Sequence, residues 1–124
     1  MGKLLACALL LDGERVLFLK KMENEKECFA LPCLLLDEKE NPVIALQEML
    51  LRTLGIDAYV TTVMLNGRHN AGSRRRRQFI GALGFAAKAK NARTTVPVAW
   101  VSLADAVRKK LCREAQWLST AQRN

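Results

Sequence analysis

The chain has 124 residues and a mass of 13.9 kDa, with 50% of its residues hydrophobic, 26% charged and 6% aromatic. That is room for one hydrophobic core and too apolar for a disordered chain, so a single domain over residues 1–124 is expected. A formal net charge of +8 and a pI near 9.7 favour polyanionic or phosphate-bearing partners.

The charge is unevenly placed. Residues 1–57 carry ten acids and seven bases, whereas residues 58–124 carry two acids and thirteen bases, the densest run being Arg74, Arg75, Arg76 and Arg77. Met1-Gly2-Lys3 precedes an apolar run, Leu4 to Leu11, that Asp12-Gly13 cuts off. The run is too short for a secretory leader or a bilayer span, and Ala6 stands where a myristoylation signal needs Ser or Thr. It reads as a buried strand, and a cytoplasmic protein without a membrane partner is expected. Cys7, Cys28, Cys33 and Cys112 fit no zinc or redox spacing and read as four buried or idle thiols.

Asp12-Gly13 supplies a tight turn between Leu4–Leu11 and Val16–Leu19, which should pair antiparallel. Met22 to Cys28 is polar and reads as a loop; Phe29 to Leu36 returns to strand character, with Pro32 at an edge, a bulge or a strand start. At Asn41 the period changes. Asn41 suits an N-cap, Pro42 the first helical position and Gly55 the stop, and Val43, Leu46, Leu50 and Leu54 make one apolar stripe. The spacing predicts a helix over about 42–54. Ala58 to Leu65 reads as a strand and Asn66 to Ser73 as a polar loop in which His69, the single histidine, takes a surface role.

Arg75 to Ala87 is the expected returning strand. Alternation would place Arg75, Arg77 and Phe79 on one face, cations beside a ring in the manner of a nucleotide or nucleic-acid site. Val96 to Val101 reads as a last short strand. Ser102 with Asp105 resembles a capping box that opens a helix or helices over about 102–122. No phosphate-cradling glycine loop is present, and no Ser, Cys or Thr has a recognisable companion base, so acyl transfer has no support.

The order ββ(β)αββ(β)α, with one central helix entered from a strand ending in a proline turn, resembles the Nudix hydrolase family. Laid on residues 34–56, the family's G-x5-E-x7-R-E-U-x-E-E-x-G-U box (U a bulky aliphatic) matches Glu40, Leu50, Gly55 and Ile56. Pro32, Pro42 and Ala45 fall in register, and Val98-Ala99-Trp100-Val101-Ser102-Leu103 is similar to the family's closing strand. The resemblance implies an α/β (α+β) fold, an α/β/α sandwich around a central mixed sheet, and Mg²⁺-dependent cleavage of a diphosphate linkage in members with an intact box.

This box is degenerate. Leu34 replaces its first Gly, Glu48 its Arg, Met49 its first helix Glu, and Arg52 and Thr53 its paired glutamates. Hard divalent cations need several oxygen ligands, and a guanidinium among them repels the ion. Glu48 and Arg52 stand four apart and could form a surface ion pair; alternatively Arg52 points into the former metal cavity and holds a phosphate by its own charge.

Three readings follow. The first is a binding module for a nucleotide, a nucleic acid or a protein, without metal or catalytic residues, using Arg52, Arg75, Arg77 and Phe79. The second is an active hydrolase of a nucleoside diphosphate derivative that uses Mg²⁺ with Glu40, Glu48 and Asp37 as improvised ligands. The third is a basic module that docks on RNA, DNA or an acidic protein.

Overall fold

The computed structural model describes residues 3–91 and 93–124. Met1 and Gly2, on which the leader and myristoylation readings bear, lie outside them. The elements are β1 (Leu4–Asp12), β2 (Arg15–Glu23), β3 (Lys26–Ala30), β4 (Cys33–Leu36), α1 (Pro42–Leu54), β5 (Asp57–Asn70), β6 (Phe79–Asn91), β7 (Val98–Ser102), the short helix α2 (Leu103–Ala106), a 3-10 helix over Arg113–Thr120, and β8 (Gln122–Arg123).

β1 is central because nearly all of its residues are apolar, which suits a strand covered on both faces. It runs parallel to β6, from Leu4 opposite Gly81 to Leu10 opposite Ala87, and antiparallel to β4 on its other side. That parallel pairing makes the sheet mixed, as expected. β5 returns antiparallel along β6, and β8 pairs with β5. At its far end β1 turns through Gly13-Glu14 into β2, which carries β3 on one side and β7 on the other. Alternation divides the core. Ala6, Ala8 and Leu10 pack with Leu46, Leu50 and Leu54 of α1, whereas Leu5, Cys7 and Leu9 pack with Leu65, Trp117 and Leu118.

α1 has the predicted bounds, and its caps work as read. The Asn41 side chain accepts from the backbone N–H groups of Val43 and Ile44 at 3.0 and 3.3 Å. Gly55 closes the helix at φ 68°, a left-handed conformation that a side chain would strain, and Ile56 N–H returns to the Leu50 carbonyl.

Four expectations about the hairpins, the helices and the cysteines need correction. Met22–Cys28 is a hairpin, because Asn24 and Glu25 both adopt positive φ, 50° and 64°, and close a two-residue turn between Glu23 and Lys26. The returning strand begins at Phe79, so Arg74–Arg77 lie in a loop. Asn70 builds that loop: its Oδ1 accepts from the N–H groups of Gly72 and Gln78, and Ser73 N–H donates to the Arg76 carbonyl. Strand alternation therefore does not place Arg75 and Arg77 beside Phe79.

The third correction concerns 102–122. Ser102 caps as expected, accepting from Asp105 N–H at 3.2 Å, but α2 is only four residues long and the second element is a 3-10 helix. The reason is that the chain at 110–112 is held extended against β3. Phe29 N–H donates to the Lys110 carbonyl and Cys112 N–H to the Phe29 carbonyl. The fourth correction is that Cys28 and Cys112, 84 residues apart, are joined by a disulfide; Cys7 and Cys33 are free. Among the described residues no helix is long and apolar enough to cross a membrane.

Candidate functional site

A cleft of about 610 Å³ opens where the end of the β5–β6 hairpin meets the 3-10 helix. Its chemistry comes from Arg68, His69, Arg74, Phe79, Arg113 and Trp117. Arg68 and Phe79 meet by register. Arg68 stands opposite Gly81 and Asn70 opposite Phe79, so Arg68 and Phe79 are diagonal neighbours on one face of the hairpin, with no side chain at Gly81 between them. The guanidinium carbon lies 4.7 Å from the ring centroid, and Phe79 is 48% exposed. An aromatic face, backed by a cation and open to solvent, is a stacking platform.

The floor is set by Gly67. A Cβ there would come within 2.9 Å of Trp117 Cε3, so only glycine lets the indole lie this close against β5. Arg113 is fixed at the rim by its backbone N–H, which donates to Glu23 Oε2 at 3.1 Å. His69 is buried on β5, which corrects its expected place in a surface loop. Burial pushes its pKa below 6.5, and the nearby Arg113 charge lowers it further, so the ring is neutral at pH 7.

A second cleft, about 860 Å³, lies on the other side of Phe79 and is lined by Asp37, Glu38, Lys3 and Gln78 among others. Asp37 and Glu40 are engaged in the turn before α1: Asp37 Oδ1 accepts from Lys39 N–H at 2.9 Å, and Glu40 Oε1 accepts from Asp37 N–H at 3.3 Å. Glu48, Arg52 and Thr53 are exposed on α1, and Arg52 lines neither cleft. Among the described residues no ion pair joins Glu48 to Arg52, contrary to the simplest reading of their spacing.

The sequence-predicted set is thus divided. Phe79 stands in the cleft wall, Arg75 and Arg77 sit in the neighbouring loop outside it, and Arg52 is on the helix. The cation on Phe79 is Arg68. Sequence reasoning missed Arg113 and Trp117, which reach the cleft only because Cys112 is anchored to β3. Among the described residues, Glu23, Cys28 and Cys112 form a group with three ligand atoms within 4.8 Å, but both sulfurs are spent in the disulfide.

No family model matches the chain, and no curated relative matches it. Solved structures do. An ADP-ribose pyrophosphatase from Streptococcus suis is 16% identical over 96% of this chain and 88% of its own, with a TM-score of 0.64. The MutT protein of Methanosarcina mazei is 17% identical over 94% and 90%, with a TM-score of 0.62. The Nudix domain of Shewanella oneidensis NrtR, solved with ADP-ribose, is 18% identical over 96% and 85%, with a TM-score of 0.58. The chain has the Nudix fold.

Proposed function

We propose that this Nudix-fold chain is a binding module for a phosphate-bearing ligand, a nucleotide or a short single-stranded nucleic acid, held in the cleft between β5 and the 3-10 helix without hydrolysis. The observation that carries the proposal is the Arg68–Phe79 stack on the wall of a cleft that Arg74 and Arg113 also border. Guanidinium groups offer forked donors to phosphate oxygens, and the exposed ring offers a base a face to stack on. The cleft volume lies within the range of small-molecule sites, about 300–1,000 Å³.

Hydrolysis has little to work with at the box. The helix positions that carry acids in an intact box hold Met49, Arg52 and Thr53. Two of the substitute carboxylates, Asp37 and Glu40, are already occupied with backbone N–H groups. The test is calorimetric titration with a nucleoside diphosphate, with and without Mg²⁺ or Mn²⁺, alongside an assay for released phosphate. Binding that needs no metal and survives in Glu40→Gln, with no phosphate released, is expected. Metal-dependent release that disappears in Glu40→Gln would establish the active hydrolase instead.

A further inference from the structure

Cys7 and Cys33 are absorbed by no part of the cleft, yet the fold sets them face to face. They are direct partners in the antiparallel β1–β4 ladder. One step along, Ala8 N–H donates to the Pro32 carbonyl at 2.9 Å, so that position is the hydrogen-bonded one and Cys7/Cys33 is a non-hydrogen-bonded pair. At such pairs the Cα atoms approach to about 4.5 Å with both side chains on the same face, within the span a disulfide bridges. The two free thiols are therefore held in bonding register by backbone geometry alone.

Their surroundings differ in a useful way. Cys33 is half-buried and Cys7 completely buried. The hydrogen bond from Cys7 lowers the Cys33 pKa, while the same contact and burial raise that of Cys7. The indole N–H of Trp117 is buried without a hydrogen-bond partner and lies toward Cys7, where its dipole favours a sulfur anion. The pair also stands apart from the existing bridge: Cys28 and Cys112 belong to the core on the α1 side, and Cys7 to the opposite one.

We propose that Cys7 and Cys33 form a reversible thiol–disulfide site for a small-molecule disulfide such as oxidised glutathione, with Cys33 as the attacking sulfur and Cys7 as the resolving one. The Cys33 thiolate attacks one glutathione sulfur, the glutathione S–S bond breaks, and one glutathione leaves as thiolate and takes up a proton. Cys7, losing its proton to solvent, attacks the Cys33 sulfur of the mixed disulfide and displaces the second glutathione as thiolate, which takes up a proton in turn. Two protein thiols are oxidised to one cross-strand disulfide, and one glutathione disulfide is reduced to two thiols. The new bond pins β4 to β1 just before the turn that leads into α1.

The test uses the full chain, incubated with oxidised glutathione, alkylated with N-ethylmaleimide under acid quench and mapped by mass spectrometry without reduction. Wild-type protein should gain a Cys7–Cys33 peptide while keeping Cys28–Cys112. Cys7→Ala should stop at a glutathione adduct on Cys33, and Cys33→Ser should lose the reaction while folded. Phenylarsine oxide, which needs two adjacent thiols, should bind reduced wild type and neither variant, with circular dichroism confirming each fold. A stable Cys33 adduct in wild type, an exchanged pairing with Cys28 or Cys112, or inert thiols in a folded protein would each overturn the proposal.

Discussion

Neutralising Arg68 gives the sharpest test of the cleft, because charge and stacking leave different marks on affinity. Arg68, Arg74 and Arg113 border it. If each neutralises one phosphate of a single-stranded oligonucleotide, the slope of log affinity against log salt is about −2, at roughly 0.7 per contact. Raising salt from about 50 to 200 mM then weakens binding about 20-fold. Arg68→Ala should flatten the slope to about −1.4, so that the same rise in salt costs only about sevenfold. Phe79→Ala removes a ring that is 48% exposed and carries no charge. It should weaken binding about 5- to 150-fold, the equivalent of 1–3 kcal/mol of stacking, at an unchanged slope. Fluorescence anisotropy of a labelled oligonucleotide across the salt series reads both quantities. A slope that stays the same in Arg68→Ala/Arg74→Ala/Arg113→Ala would place the contact elsewhere on the basic surface and refute the cleft.

Further expectations concern the helix, the histidine and the lost box. Asn41→Ala removes the acceptor of two N–H groups and should cost about 1 kcal/mol, a fall in Tm of about 3–5 °C by calorimetry. Leu50→Ala opens a cavity in the fully buried stripe of α1 and should cost about 2–5 kcal/mol in chemical denaturation. Because His69 has a folded pKa below its unfolded 6.5, the folded state resists protonation. Stability should be unaffected by this group above pH 6.5 and fall as pH drops through 6.5 toward the folded value, a slope that His69→Gln should reduce in melting curves run across pH. Met49→Glu/Arg52→Glu/Thr53→Glu should create measurable Mn²⁺ binding by calorimetry if α1 keeps the inherited geometry; a folded triple variant with no heat of binding would show that the turn before the helix has also changed shape.

Much of this molecule was legible from local chemistry. α1 could be read to the residue because its signals lie within its own span: Asn41 and Pro42 at one end, Gly55 at the other, an apolar stripe between. The strands of the β1–β2 hairpin were similarly marked by Asp12-Gly13. Where reading failed, the deciding partner was distant or the local signal was weak. Glu25 takes a positive φ with no glycine to announce it, so a hairpin looked like a loop. Four successive arginines continue naturally into Phe79 on paper, yet Asn70, eight residues before Gln78, folds them into a turn. The helix expected over 102–122 is interrupted by bonds to Phe29 and Cys28, more than eighty residues earlier. The cleft is the least legible part, since its cations come from a strand, a loop and a 3-10 helix, and of Arg52, Arg75, Arg77 and Phe79 only Phe79 stands in its wall.

The closing stretch of the chain has a mechanical consequence. It is riveted to β3 by the Cys28–Cys112 bridge and the Phe29–Leu111 pairing, and about ten residues later it joins the far edge of the same sheet through Gln122 and Arg123 against β5. A tie fastened at both ends of the sheet transmits load between them, so neither end can loosen without tugging on the other, and the protein should melt as one unit. Trp117 and Arg113 ride on that tie, and the integrity of the cleft is thereby bound to a crosslink that lies beside Glu23 in its own lining.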